Sequence, residues 1–292
     1  MSNAVNARPQ GTSSTGWTDE GSIAPLTNDE FVRISERVRQ MAGIVLEDHK
    51  KQMIFSRMSR YLRDKGYDSV SDYLNHLDKM AGPDELQEFV NVLTTNLTSF
   101  FREKHHFDHL QKELLEPMKS AGANRIRIWS AGCSSGEEPY TIALSIQAVF
   151  GRIPQDMRIL ATDLDTKVLA TGRAGSYPSK KLSGIPPNYA RALPRPDEED
   201  IVKMPSELKA AISFKQLNLL ENWPMKGKFE AIFCRNVMIY FDAETKARLI
   251  DRFADALVPG GTLYIGHSES ILGQHAKLES LGDTIYRRGP AA

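Results

Sequence analysis

Residues 125–150, RIRIWSAGCSSGEEPYTIALSIQAVF, join a strand-like run to a helix-like run through a turn carrying Gly132 and Gly136. A strand that pairs in parallel with the next needs a long crossover, normally a helix, so recurrence of this unit commits the chain to layered α/β architecture. It does recur. MRILATD (157–163), ISFKQLN (212–218), FEAIFCRN (229–236) and GTLYIGH (261–267) read as strands. DTKVLATG (165–172) and DAETKARLIDRFADALV (242–258) read as helices between them. The expected fold is a mostly parallel sheet with helices on both faces, and ligands lie at the strands' carboxyl ends in such sheets.

Around this core the pattern changes. Residues 175–211 hold Pro178, Pro186, Pro187, Pro194, Pro196, Pro205 and the acidic run DEED, too long for a bare connection, and predict an inserted subdomain of short β elements. Residues 1–25 are small and polar and predict a mobile tail. Residues 26–96 read as a helical domain. Thr27 and Glu30 form a capping box ahead of Phe31, Ile34, Val38 and Met41 at helical spacing. A second helix buries Ile54, Met58 and Leu62, a third lies in SVSDYLNHL (69–77), and a fourth opens at Pro83 with Leu86, Phe89, Val90 and Leu93 on one face. Residues 97–124 supply a linker and a connecting helix, KHHFDHLQKELLEPMK, and 125–292 the α/β domain.

The 37 basic and 37 acidic residues cancel, so no global field argues for nucleic acid. Cys133 and Cys234 are too few for a disulfide framework and match no metal-ligand spacing, and the histidines lack partners at such spacing, so no metal is expected. With no signal peptide or membrane-length apolar run, the chain reads as cytosolic.

The glycine turn narrows the ligand. It has no lysine and is not GxGxxG, and Glu137 and Glu138 stand where a phosphate would want positive charge. It therefore favours a nucleoside without phosphates and with positive charge, as in S-adenosylmethionine. Asp163, ending the second strand, is placed to accept from ribose hydroxyls. Read without further context, all three acids are equally able simply to cap helices.

The strings TNLTSFFREKHHF (95–107), WSAGCSSGEEPYTIA (129–143), ATDLDTKVL (161–169), FCRNVMIYFD (233–242) and GTLYIGHSES (261–270), in this order, resemble the CheR-type chemotaxis receptor methyltransferases over roughly residues 27–288. The resemblance implies a Rossmann-like S-adenosylmethionine-dependent methyltransferase domain with an N-terminal all-α domain and a small β insertion. The implied reaction is methyl transfer to glutamate side chains of chemoreceptors. Carried over by motif, Asn96, Thr98, Arg102, Gly132, Glu137, Asp163, Asn218, Leu219, Arg235 and Asn236 line the cofactor site, and Arg102 and Tyr240 stand at the reacting centre. The implied partner is the cytoplasmic helical region of the receptors; in some family members the insertion also tethers a receptor C-terminal peptide.

Arg57, Arg60 and Arg63, at spacing i, i+3, i+6 on the second helix and helped by Lys50, Lys51 and Lys65, offer a basic stripe for such an acidic helix. A solvated face is the plainer reading of the same charges. The competing functions are a small-molecule or RNA methyltransferase, a non-catalytic cofactor sensor and a nicotinamide oxidoreductase. Neutral charge argues against RNA, retention of Arg102 and Tyr240 against the sensor, and the acidic loop against the oxidoreductase.

Overall fold

The computed structural model describes residues 23–123, 125–271 and 273–290. Most of the expected tail lies outside these residues. At its inner end, however, Ile23 is only 6% exposed and joins the core of the helical domain, so the packed core takes in a residue that composition assigns to the tail.

That domain contains α1 (Asn28–Ala42), α2 (Lys51–Lys65), α3 (Val70–Lys79) and α4 (Pro83–Leu93). The Thr27–Glu30 capping box closes in both directions, at 3.1 Å from the Glu30 N–H to Thr27 Oγ1 and 2.9 Å from the Thr27 N–H to Glu30 Oε2. Ile34, Val38, Ile54, Met58, Tyr73 and Phe89 are almost wholly buried in its core, which accounts for the helical spacing of the apolar residues. The connecting segment runs as one helical stretch, α5 (His105–His109), a π-helical turn over Leu110–Leu115, and α6 (Glu116–Ser120). It is more than a linker: Phe107, Leu110 and Leu115 are buried in the α/β core.

The α/β domain is built on β1 (Arg125–Ala131), α7 (Glu137–Phe150), β2 (Asp156–Asp163) and α8 (Thr166–Ala174). The inserted segment follows, with β3 (Ser176–Pro178), α9 (Ser179–Leu182), α10 (Pro187–Ala190) and β4 (Ile201–Lys203). Then come α11 (Ser206–Ala211), β5 (Ile212–Gln216), β6 (Phe229–Cys234), α12 (Ala243–Ala256), β7 (Leu257–Ile265), β8 (Leu278–Gly282) and β9 (Ile285–Arg288). The sheet order is β5-β2-β1-β6-β7-β9-β8. The first five strands run parallel, and β8–β9 is an antiparallel hairpin that the sequence reading lacks. The insertion is less β-rich than expected. It holds one two-stranded sheet of three-residue strands and two helical turns, because its prolines interrupt the ladder, and α11 is the crossover helix that leads into β5.

Chain order turns back between β1 and β6, after β2 and β5 have been added on one side. A crevice opens there, outside the strands' carboxyl ends. The helical domain roofs it. Gln87 Nε2 donates to the Leu164 carbonyl at 3.0 Å, Asn91 Nδ2 to Thr166 Oγ1 at 3.1 Å, and Asn96 Nδ2 to Asp165 Oδ2 at 2.8 Å.

Candidate active site

The crevice deepens into a cavity enclosing about 1160 Å³ of empty space, mouth included. Each parallel strand of its half contributes its carboxyl end: Gly132 and Ser134 after β1, Asp163 as the last residue of β2, Asn218 and Leu219 after β5, and Arg235 to Val237 after β6. The segment 93–99, Arg102, Lys50 and Met53 close it from the helical side, and Tyr240 and Phe241 from the other. Gly132 has φ 87°, and a Cβ there would come within 2.3 Å of Val237 Cγ2, so only glycine lets the loop turn this tightly beside the cavity.

Asp163 is held by two backbone donors, Ser134 N–H at 2.8 Å on Oδ2 and Asp165 N–H at 2.9 Å on Oδ1. Each oxygen keeps a lone pair for a further donor. Burial raises its pKa to about 6 despite these bonds, since the charged form is desolvated.

At the base of the cavity lies a buried charge cluster. Arg235, its side chain 3% exposed, meets Glu138 at 3.2 Å and Glu103 at 3.3 Å and also donates to the main-chain carbonyl of Arg102. Ser130 Oγ donates to Glu138 at 2.7 Å. Burial pushes the Glu138 carboxyl up against the pull of Arg235 and Ser130. Burial acts the same way on Glu103, but the hydrogen bond from His267 at 2.9 Å and the Arg235 charge outweigh it and bring Glu103 to about 2. His106, buried beside them, is driven down to about 3 by desolvation and then by Arg235, and so is neutral. Phe101 and Glu103 both lie in the left-handed region, at φ 53° and 54°. The backbone bearing Arg102 is therefore strained on both sides and held by Arg235 and by Thr141, which accepts from the Phe101 N–H at 3.2 Å.

The 235–240 loop has its own anchor. Glu269 accepts from the N–H groups of Gly266 at 2.6 Å, Asn236 at 2.9 Å and Ile239 at 3.1 Å. Asn236 is held at φ 59°, and a Cβ on Gly266 would meet its amide at 2.5 Å.

With this geometry in view, the comparisons with known proteins are decisive. Residues 96–287 match the family model described as CheR methyltransferase, SAM binding domain, and residues 29–94 the one described as CheR methyltransferase, all-alpha domain. The chain belongs to the CheR methyltransferase family. It is 40% identical to chemotaxis protein methyltransferase 2 of Pseudomonas aeruginosa, over 89% of this chain and 93% of that one. It is 40% identical to the chemotaxis protein methyltransferase of Escherichia coli (89% and 91% covered) and 39% to that of Borreliella burgdorferi (90% and 95%). This CheR chain is thus an S-adenosylmethionine-dependent methyltransferase. The reaction that its sequence strings imply, methyl transfer to chemoreceptor glutamates, is the reaction of its family. No helix among the described residues is long and apolar enough to cross a membrane. Among them, too, no group of three or more His, Cys, Asp or Glu side chains is arranged to hold a metal ion.

Of the residues expected at the CheR site, Asn96, Thr98, Arg102, Gly132, Asp163, Asn218, Leu219, Arg235, Asn236 and Tyr240 all line the cavity. Several are already engaged. The Asn96 amide is bonded to Asp165, the Asn218 amide donates to the Met41 carbonyl at 3.1 Å, and Arg235 is consumed by its two carboxylates. Glu137 is a correction. It does not line the cavity; its fully buried carboxylate takes Lys181 of the insertion at 2.6 Å and Ser135 Oγ at 2.6 Å, whereas its neighbour Glu138 faces the site. Arg57 is a second correction. Its guanidinium turns inward to cap α4 through the Leu93 carbonyl (3.1 Å) and the Thr94 carbonyl, because those end-of-helix acceptors have no intrahelical partner. Arg60 and Arg63 are exposed as expected. Sequence reading missed Glu103 and Glu269, which lie inside the quoted strings TNLTSFFREKHHF and GTLYIGHSES, and it gave Lys50 to the basic stripe, whereas Lys50 lines the cavity.

Proposed function

We propose that the cavity holds S-adenosylmethionine along the carboxyl edge of the sheet, and that Arg102 orients a receptor glutamate for in-line attack on its methyl group. The cofactor supplies an electrophilic methyl on a cationic sulfur. Asp163 accepts from the ribose hydroxyls through its free lone pairs, and Leu219 and Asn218 flank the adenine. Glu103 and Glu138 outnumber Arg235, and this cluster turns its net negative charge, through Glu138, toward the cofactor's cationic groups. Asn96, Thr98, Gly132 and Asn236 shape the remaining wall, and Tyr240 borders the methyl.

A glutamate is already ionised at neutral pH, with a reference pKa near 4.3, so the acceptor needs no general base. The protein's contribution is positioning, which can supply roughly 7–11 kcal/mol in well-oriented reactions. One observation carries the assignment to Arg102. Two arginines line the cavity, and Arg235 is neutralised by two carboxylates while Arg102 has no carboxylate within 4.0 Å among the described residues. Its Nη1 donates only to the Leu97 carbonyl, at 2.9 Å, leaving the other donors of the fork for an incoming carboxylate.

Acceptor recognition beyond the cavity falls to Arg60 and Arg63, with the partner being the cytoplasmic helical region of a chemoreceptor and the enzyme acting in the cytoplasm. Strands β3 and β4, each paired on one side only, leave backbone edges for strand addition by a receptor C-terminal peptide.

The test is transfer of labelled methyl from S-adenosylmethionine to receptor-containing membranes, as base-labile, protein-bound label. Arg102→Ala should lower kcat/KM by about 10- to 100-fold, the value of a charge-assisted hydrogen bond. Its calorimetric affinity for S-adenosylhomocysteine should stay within about twofold of wild type. Near-normal turnover of that variant would remove Arg102 from the mechanism.

A further inference from the structure

Among the described residues only five large hydrophobic side chains are prominently exposed: Val32, Met80, Leu97, Ile239 and Leu281. Two of the five lie beside the reacting centre. Leu97 borders the cavity at its open rim, 81% exposed, and Ile239, 40% exposed, directly precedes Tyr240. A lone exposed leucine ordinarily means little. Leu97 differs in being fixed in place. The Asn96 carbonyl accepts from Ser134 Oγ at 3.0 Å and the Leu97 carbonyl from Arg102 Nη1 at 2.9 Å, so the backbone is pinned on both sides while the side chain stands in water. The group that pins it is the same guanidinium assigned to the acceptor carboxylate.

We propose that Leu97 is a specificity-determining residue of the methyl transfer: it packs on an apolar side chain of the acceptor protein next to the accepting glutamate. This rests on the reading of Arg102 given above. An acceptor carboxylate drawn to Arg102 brings its own neighbouring residues over Leu97, and the leucine loses its water only if those residues are apolar there. A free dicarboxylic amino acid gains nothing from this contact. The enzyme then selects glutamates set in an amphipathic protein surface, and charge steers the encounter without choosing the site. Ile239 extends the same apolar rim on the Tyr240 side.

The experiment measures methyl transfer by the full chain to receptor-containing membranes. Leu97→Ser should raise the receptor KM about tenfold, as expected for losing one buried leucine contact. Its kcat should hold within about twofold, and so should its affinity for S-adenosylhomocysteine. Leu97→Met, which keeps volume and apolarity, should restore the wild-type KM. The ratio of variant to wild-type KM should be the same at low and high salt, as an apolar contact requires. An unchanged receptor KM in Leu97→Ser overturns the proposal. So does a loss confined to S-adenosylhomocysteine affinity, which would make Leu97 cavity wall, or a wild-type dimer in sedimentation that Leu97→Ser dissolves. Receptor left unlabelled by the wild-type enzyme sinks the acceptor reading and this proposal with it. Receptor labelled equally well by both enzymes sinks only the role of Leu97.

Discussion

Two arginine-bearing regions of the molecule are built in opposite ways. At the sheet's carboxyl edge the Arg235 side chain is 3% exposed and locked between Glu103 and Glu138. On α2, Arg60 and Arg63 stand in solvent, and no salt bridge is formed by either among the described residues. The first arrangement spends its charge internally. It fixes the strained backbone of Arg102 before any ligand arrives, which is what preorganisation requires. The second keeps its charge mobile and screened, and can act only on encounter and register. Burial thus separates an arginine that holds backbone in place from arginines left free to meet a partner, and neither kind is identified by residue type.

The largest effect should come from breaking the first arrangement. Arg235→Met would leave Glu103 and Glu138 buried without a counter-charge, at a cost of roughly 3–5 kcal/mol by urea denaturation at neutral pH. The pH dependence sharpens this. Glu103 is held at about 2, below its usual 4.5, so its pairing stabilises the fold above pH 4.5 and that stabilisation is lost as pH falls toward 2. The gap between wild type and variant should close over that window. A gap that persists undiminished into acid would mean that packing, including the Arg235 stack 5.4 Å from the Phe107 ring, outweighs charge.

The contrast also shows what a sequence can carry. Periodicity located α1 to α4 and the five parallel strands because each buries a face through its own spacing, as with Ile54, Met58 and Leu62. The β8–β9 hairpin escaped since LESLG places a single buried residue, Leu278, in the strand and offers no alternation. Asp163 and Gly132 were legible as strand-end positions of a doubly wound sheet. The choice between Glu137 and Glu138 was not. They are adjacent on one helix, and their fates are set by Lys181 and Arg235, distant in sequence. Arg57 was misread for the same reason: its spacing removes it from the α2 core, but nothing local reveals the α4 carbonyls that it caps.

A middle-sized effect tests whether the edge of the sheet depends on charge already fixed. Burial raises the Asp163 pKa to about 6, and protonation there would remove an acceptor from the proposed ribose site. Affinity for S-adenosylhomocysteine should be flat above about pH 7 and weaken by up to about tenfold per pH unit below 6. Asp163→Asn should bind more weakly at pH 8 and lose that dependence. The sign for folding is the reverse: with its pKa raised above 3.8, Asp163 costs stability above pH 6 and that cost is relieved as pH falls toward 4. A wild-type affinity that is constant from pH 8 to 5 would place the ribose elsewhere.

The smallest effect belongs to α2. Reversing Arg60 and Arg63 to Glu should raise the receptor KM about three- to tenfold at low salt, through slower and less well-registered encounter, and leave kcat alone. Raising the salt should erase most of the difference, since both side chains are exposed and screening reaches them fully. Arg57 must be left out of that pair, because its reversal would uncap α4 and lower stability, mimicking a recognition defect. If the Arg60–Arg63 reversal kept its full effect at high salt, these arginines would be making desolvated contacts with the receptor, and the division between positioning and steering arginines would not hold on α2.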